Sequence, residues 1–230
     1  MLKELRKSPG GRAARIVAEL TEAIHEHRMA PGMKLGEDEV CEIFGVGRTV
    51  TRQAFQMLAH EQLLTIEPNR GAFVAQPSIR EAREVFEARA LLEPRTAHSA
   101  ATRATPEDIE TLRTHVTQEH AALAAGQNGQ ALKLSGKFHL EIAAIADQGT
   151  IAEIIRQLVS RSSLVIALYW RRRSAMCESH AHDALIDALS AQDAPLAEEL
   201  MQGHLVDLLS LLDLHEPSDA PKSLHEALGR

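Results

Sequence analysis

Aromatic side chains are scarce in this chain: five Phe, one Tyr and one Trp make up 3% of its 230 residues, while hydrophobic residues as a whole reach 44%. A β-sandwich draws on aromatic and β-branched side chains, so an apolar content dominated by Ala and Leu points to packed helices instead. Only two cysteines occur, Cys41 and Cys177. They fall in what read as different domains, which argues against a disulfide or redox pair; two buried thiols in a reducing compartment is the expectation. No run approaches the roughly 20 apolar residues needed to span a bilayer. The basic N-terminus, Met1 to Pro9, lacks the apolar core of a signal peptide. A cytoplasmic protein with no membrane partner is expected, long enough for one large domain or two modest ones.

The net charge of −7 argues at first against nucleic acid. Its distribution matters more than its sum. Residues 1–76 hold ten Lys/Arg and ten Asp/Glu, whereas residues 77–230 hold fifteen and twenty-two. The acidity therefore belongs to the second part, and phosphate contacts made by the first are local and screened beyond about 8–10 Å.

The first part centres on a helix starting near Arg48. Thr51, Ala54, Phe55 and Leu58 recur at i, i+3, i+4, i+7 and face a core. Arg48, Thr49, Arg52, Gln53 and Gln56 lie opposite, with no acid before Glu61. Guanidiniums, a hydroxyl and amides are the groups that grip phosphates and base edges in a major groove, although an amphipathic helix with a merely solvated polar face has the same pattern. The flanks favour DNA. Glu37 to Phe44 reads as a short helix, and Gly45 suits a tight turn. Leu64–Glu67 and Ala72–Ala75 read as strands joined by Pro68-Asn69-Arg70-Gly71. Helix, turn, helix and basic-tipped hairpin make a winged helix-turn-helix. A supporting helix runs from Arg12 to about Arg28, with Ile16, Leu20, Ala23 and Ile24 on its apolar stripe; residues 1–11 read as a flexible arm.

Pro31-Gly32-Met33-Lys34-Leu35, then Gly45 to Phe55, then Asn69-Arg70-Gly71-Ala72-Phe73-Val74 resemble the DNA-binding domain of GntR-family transcription regulators over residues 12–76. The resemblance implies operator contacts from Arg48, Thr49, Val50, Arg52 and Gln53 and, in the wing, from Asn69, Arg70 and Gly71. Departures from the family pattern are Gly47, Val50, Thr51, Gln53 and Gln62. If Gln62 takes the left-handed conformation that Gly often supplies after a helix, strain of roughly 1 kcal/mol follows.

From Ser78, which with Glu81 forms a capping box, only helical patterns follow: 79–103, 106–125, 128–147, 150–173, 176–190 and 193–213. The fold class is thus mainly α, a winged helix-turn-helix followed by an all-α bundle over residues 79–214, with residues 215–230 reading as a disordered tail. Glu87 to Glu93, Phe138-His139, Ala181 to Leu189 and Gly203-His204-Leu205 are similar to the FCD effector domain of the FadR-like branch of the same family.

Of twelve histidines, His25, His27, His60, His115, His120, His215 and His225 read as surface positions. His139, His182 and His204 each lie in or beside the apolar stripe of a different helix. Three imidazoles aimed at one point suit Zn²⁺ or a similar metal; three unrelated half-buried histidines have the same spacing. The resemblance decides between them by implying a divalent metal site (Zn, Ni or Mn) at these three residues. It also implies an Asp where this chain has Ser135, and the loss of a carboxylate weakens metal binding. Three His with water, a carboxylate from elsewhere, or an effector pocket without metal all remain open. By the same resemblance Arg89 and Ser135 line the effector pocket, Arg89 gripping a carboxylate ligand, although an i+4 ion pair with Glu93 is the simpler reading. Arg171-Arg172-Arg173 complements a helix end. A metallohydrolase is the alternative reading of the histidines, disfavoured because the sequence has no HExxH helix and Glu141 lies on another face from His139. The expectation is a homodimeric regulator that binds a double-stranded DNA operator and responds to a small organic acid.

Overall fold

The computed structural model describes residues 9–170 and 179–215. The flexible-arm expectation for residues 1–8, Cys177, Arg171–Arg173, and the tail from 216 onward fall outside the described residues. Helix α1 (Pro9–His25) is followed by β1 (Lys34–Leu35), α2 (Glu37–Phe44), α3 (Arg48–His60), β2 (Leu64–Glu67) and β3 (Gly71–Val74). Six further helices follow: α4 (Ile79–Ala101), α5 (Pro106–Ala124), α6 (Asn128–Ile145), α7 (Gly149–Tyr169), α8 (Ser179–Ser190) and α9 (Ala194–Ser210). Among the described residues no helix is long and apolar enough to cross a membrane.

Helix α1 begins at Pro9, three residues before the expected start, because proline's fixed φ and missing N–H cost nothing in a first turn. It ends at His25, and the chain turns at His27 with φ 55°. Helix α2 stops at Gly45, which holds a left-handed φ of 61° and returns its N–H to the Cys41 and Glu42 carbonyls. The sheet order is β1-β3-β2, all antiparallel. The third strand was not expected; two residues, Lys34 and Leu35, are too short to show a period of two.

Ile16, Ile24, Leu58 and Leu63 are fully buried at the centre of this winged head. Leu164, from α7 of the bundle, belongs to the same apolar cluster. Head and bundle therefore share a core residue rather than hanging on a linker. They also meet at Gly129, near the start of α6. A Cβ there would lie 1.9 Å from the Glu26 carbonyl oxygen, so only a glycine lets the end of α1 seat on α6.

In the bundle, Ser78 and Glu81 form the anticipated capping box at α4, and Thr105 with Asp108 forms a second at α5. The central layer joins Leu112, Val116, Phe138, Ile142, Leu185, Ile186 and Met201 from α5, α6, α8 and α9. Helix α4 packs along α9 on one side and α7 on the other. This arrangement brings α4, α6, α8 and α9 around one buried point.

Candidate DNA interface and metal centre

Arg48, Thr49, Arg52 and Gln53 stand exposed on one face of α3, and Asn69, Arg70 and Gly71 are exposed at the wing tip. Val50 does not belong with them. It is 8% exposed and sits in the head's core, so its expected part in operator contact is corrected: it holds the helix in place from behind. Thr51 is fully buried and touches Cys41, whose sulfur lies 3.2 Å from the Thr51 hydroxyl. Cys41 is half-buried rather than buried.

The arginines are not bare. Arg48 donates to both oxygens of Asp38, at 3.0 and 3.2 Å, and Arg52 donates to Glu37 at 2.8 Å. Arg70 pairs with Glu67 within the wing. The acids of α2, assigned from sequence only to a neighbouring helix, thus neutralise the arginines of α3 directly. A one-turn connection at Gly45 places the first turn of α2 beside that of α3, a proximity that helix periodicity alone does not report. All these pairs are solvent-exposed, and exposed pairs give way readily to a better partner such as a phosphate.

The second constellation is buried. Potential ligand nitrogens of His139 on α6, His182 on α8 and His204 on α9 all lie within 4.8 Å of one another. The three side chains are 3%, 1% and 8% exposed. His182 Nδ1 lies 3.0 Å from Glu119 Oε2 on α5. A carboxylate only accepts, so Nδ1 is the donor and Nε2 is the nitrogen turned toward the other histidines. That Nε2 faces the Nε2 of His204 at 3.3 Å. His139 Nδ1 lies 2.6 Å from Glu93 Oε2 on α4, an ion-pair approach without hydrogen-bond alignment. Converging imidazole nitrogens with carboxylates close behind, the Glu119 contact a hydrogen bond and the Glu93 contact an ion-pair approach, fit a divalent metal, since carboxylates orient metal-bound histidines in this way. Burial pushes the pKa of His204 well below its ordinary value, reinforced by the other two histidines. Burial likewise lowers that of His139, against the pull of Glu93. Neutral imidazoles are the form that ligates.

Glu93 is the hub. Burial raises its pKa, but Arg89 and His139 overcome that and hold it down to about 2. Arg89 donates from Nε to Glu93 at 2.5 Å, from Nη2 at 3.3 Å and from Nη1 to Ser162 at 3.0 Å. The simpler expectation for Arg89, an ion pair with Glu93, describes its main engagement; two guanidinium hydrogens remain for another acceptor. Glu119 was missed from sequence. It sits in the apolar stripe of α5 between Val116 and Ala122, and a carboxylate in such a stripe is the signal that could have found it.

A cavity of about 440 Å³ opens against this site, bounded by Arg89, Ser135, His139 and Ser162 at one end. His182 and His204 are not among its lining residues, so His139 is the imidazole that meets the cavity wall. The opposite wall comes from α1, with Val17, Thr21 and His25. His25 and His27, expected at the surface, are half-buried at the junction of head and bundle. His25 Nε2 lies 2.8 Å from the Ser160 hydroxyl and His27 Nε2 3.0 Å from the Ser163 carbonyl. Periodicity within α1 could not show that a second domain covers its outer face.

The family model of the FCD domain matches residues 84–207, and that of the bacterial regulatory proteins of the gntR family matches residues 12–74. The chain belongs to the GntR family. It carries the FCD domain of the FadR-like branch and is a transcription regulator. The Nta operon transcriptional regulator of Aminobacter aminovorans is 26% identical over 190 residues, covering 81% of this chain and 89% of that protein. The galactonate operon transcriptional repressor of Escherichia coli is 26% identical over 210 residues, covering 80% and 90%. A crystal structure described as a GntR transcriptional regulator from Rhodococcus sp. RHA1 has the same fold, with a TM-score of 0.78 at 24% identity, over 87% of this chain and 96% of that one.

Proposed function

We propose that this GntR-family chain acts as a homodimer that binds a pseudo-palindromic operator and that an organic acid held in the bundle sets its operator affinity. The observation that carries this reading is the cavity, whose one end is the Arg89, Ser135 and His139 wall and whose other wall is a helix of the DNA-binding head. A pocket of this size and mixed lining suits a small molecule. Helix α3 enters the major groove with Arg48, Thr49, Arg52 and Gln53 toward bases and phosphates, and Asn69, Arg70 and Gly71 of the wing lie along the flanking backbone. Glu37, Asp38 and Glu67 release the arginines as phosphates replace them.

His139, His182 and His204 would hold a divalent ion such as Zn, Ni or Mn, which supplies a positive, Lewis-acidic anchor for a carboxylate. Ser135 occupies the position at which the family pattern has an Asp. A site without that anion leaves more positive charge for an anionic ligand, at the cost of weaker metal retention. One relative regulates a galactonate operon by name, and galactonate is a carboxylate, so acids of that kind are the first to test. Direct metal sensing is the second reading, favoured by the carboxylate-backed histidines.

The test uses a duplex recovered by selection from a random pool. Its affinity for the full chain is titrated with sugar acids and other small organic acids, with and without added metal. A shift of about tenfold or more with one acid supports the proposal. A shift with metal alone supports the second reading. No shift with either leaves the bundle a dimerisation module and overturns both.

A further inference from the structure

The ring of charges around the cavity joins the two domains. Lys133 of α6 reaches across to Glu22 and to Glu26, the latter at 2.8 Å. Arg156 of α7 reaches Glu61, just past α3, at 2.7 Å, and also pairs with Glu153 of its own helix. In each crossing pair the cation belongs to the bundle and the carboxylate to the winged head. Lys133, Arg156, Glu22, Glu61 and His25 all line the cavity. The Lys133 side chain is only 14% exposed. His25 reports the same basic surroundings: burial, then His27, Lys133 and Arg156, lower its pKa to about 4. Two bundle cations, Lys133 and Arg156, therefore line the cavity beside α1, paired there with Glu22, Glu26 and Glu61 of the head and with Glu153 of α7.

We infer that the cavity takes an elongated dianion, one carboxylate at the Arg89–His139 end and the other on Lys133 and Arg156, and that the second carboxylate frees the head by displacing Glu22, Glu26 and Glu61. The inference rests on the organic-acid reading above and narrows it to acids with two separated anionic groups. The displacement is an exchange of like for like at each cation, so its local cost is small. Its consequence is not small, because the displaced oxygens carry α1 and the end of α3. A monocarboxylate fills only the inner end and leaves the crossing pairs in place. A second bundle pole whose cations are already held by carboxylates of the head thus turns ligand length into domain position, and differential contacts of this kind are what an effector needs in order to shift an equilibrium.

The test is calorimetric titration of the metal-supplemented full chain with α,ω-dicarboxylates of four to six carbons, against monocarboxylates of equal length. The expected result is a dicarboxylate that binds at least about tenfold more tightly than its matched monocarboxylate, with that ratio falling below about threefold in the Lys133→Gln/Arg156→Gln variant. A Glu22→Gln/Glu26→Gln variant gives a check of opposite sign that does not touch the cations. With no carboxylate left to displace from Lys133, dicarboxylate affinity should rise about three- to tenfold. Equal affinity for the two classes in the unmodified protein overturns the second pole while leaving the organic-acid effector standing. A ratio that survives in the Lys133→Gln/Arg156→Gln variant, or an unchanged affinity in Glu22→Gln/Glu26→Gln, overturns the displacement. Binding of neither class overturns this inference together with the organic-acid reading on which it rests.

Discussion

Arg52 pairs with Glu37 at 2.8 Å on the open face of α3, where the arginine side chain is 64% exposed; Arg89 pairs with Glu93 at 2.5 Å inside the bundle, where both are 3% exposed. The chemistry is the same and the surroundings differ. In water the pair is screened and exchangeable, so the arginine is held ready for a phosphate. In the core neither partner has water to fall back on, and the pair becomes a fixed element that in turn orients His139. Burial, rather than residue type, separates the exposed face of α3 from the histidine cluster of the bundle.

The sharpest way to break this contrast is to remove one carboxylate from each pair. Glu93→Gln strands Arg89 and removes the carboxylate beside His139, and should cost about 3–5 kcal/mol in denaturant unfolding. Glu37→Gln should leave the unfolding midpoint unchanged. A near-neutral Glu93→Gln would show that Arg89 finds another partner and that the buried pair is not the hub described above.

Removing the arginine on the exposed side gives the next effect. Arg52→Ala should weaken specific operator binding about 10- to 100-fold without lowering the melting temperature. Retained specificity in that variant would place the reading surface elsewhere. The two changes together separate a residue needed for DNA from one needed for the fold.

The junction between the regions has its own signature in pH. His25 is half-buried between head and bundle, with its pKa lowered to about 4. A lowered histidine favours the neutral form in the folded protein. Its contribution is therefore fully present above pH 6.5 and is lost as pH falls from about 6.5 to 4. The loss should be of the order of 2 kcal/mol after allowance for partial exposure, and His25→Asn should flatten the profile over that window. An unchanged slope in His25→Asn would assign the acid sensitivity to other groups.

The smallest effect tests the head alone. Gln62 adopts φ 58° two residues past the end of α3, a conformation that costs a side chain with a Cβ. Gln62→Gly should stabilise the protein by about 1 kcal/mol. A loss of stability would mean that the glutamine side chain makes a compensating contact.

What could be read in the sequence follows the same division. The bundle helices begin within three residues of their expected starts, because caps such as Ser78, Thr105 and Asp193 are local signals. The core face of α3 was equally legible, as Thr51, Ala54, Phe55 and Leu58 follow one stripe. Val50 was misread as an operator contact because the family pattern names the position without its burial. The convergence of His139, His182 and His204 came from family resemblance; their spacing alone left it open. Glu119 and Lys133 escaped notice, and His25 and His27 were read as surface positions, because their partners are distant in sequence and belong to other elements or to the other domain. Periodicity describes one helix at a time, whereas the histidine cluster and its cavity draw on all six bundle helices and on α1 of the head.

The central claim is that the carboxylate-backed histidines form a metal-dependent sensing site despite Ser135. It is tested most directly by the metal content of untagged protein purified without chelator, beside a His139→Ala variant whose fold is checked by circular dichroism. The account predicts about one Zn, Ni or Mn per chain in the unmodified protein and loss of that ion in the folded variant. No bound metal in the unmodified protein, even after incubation with excess of all three ions, would contradict it.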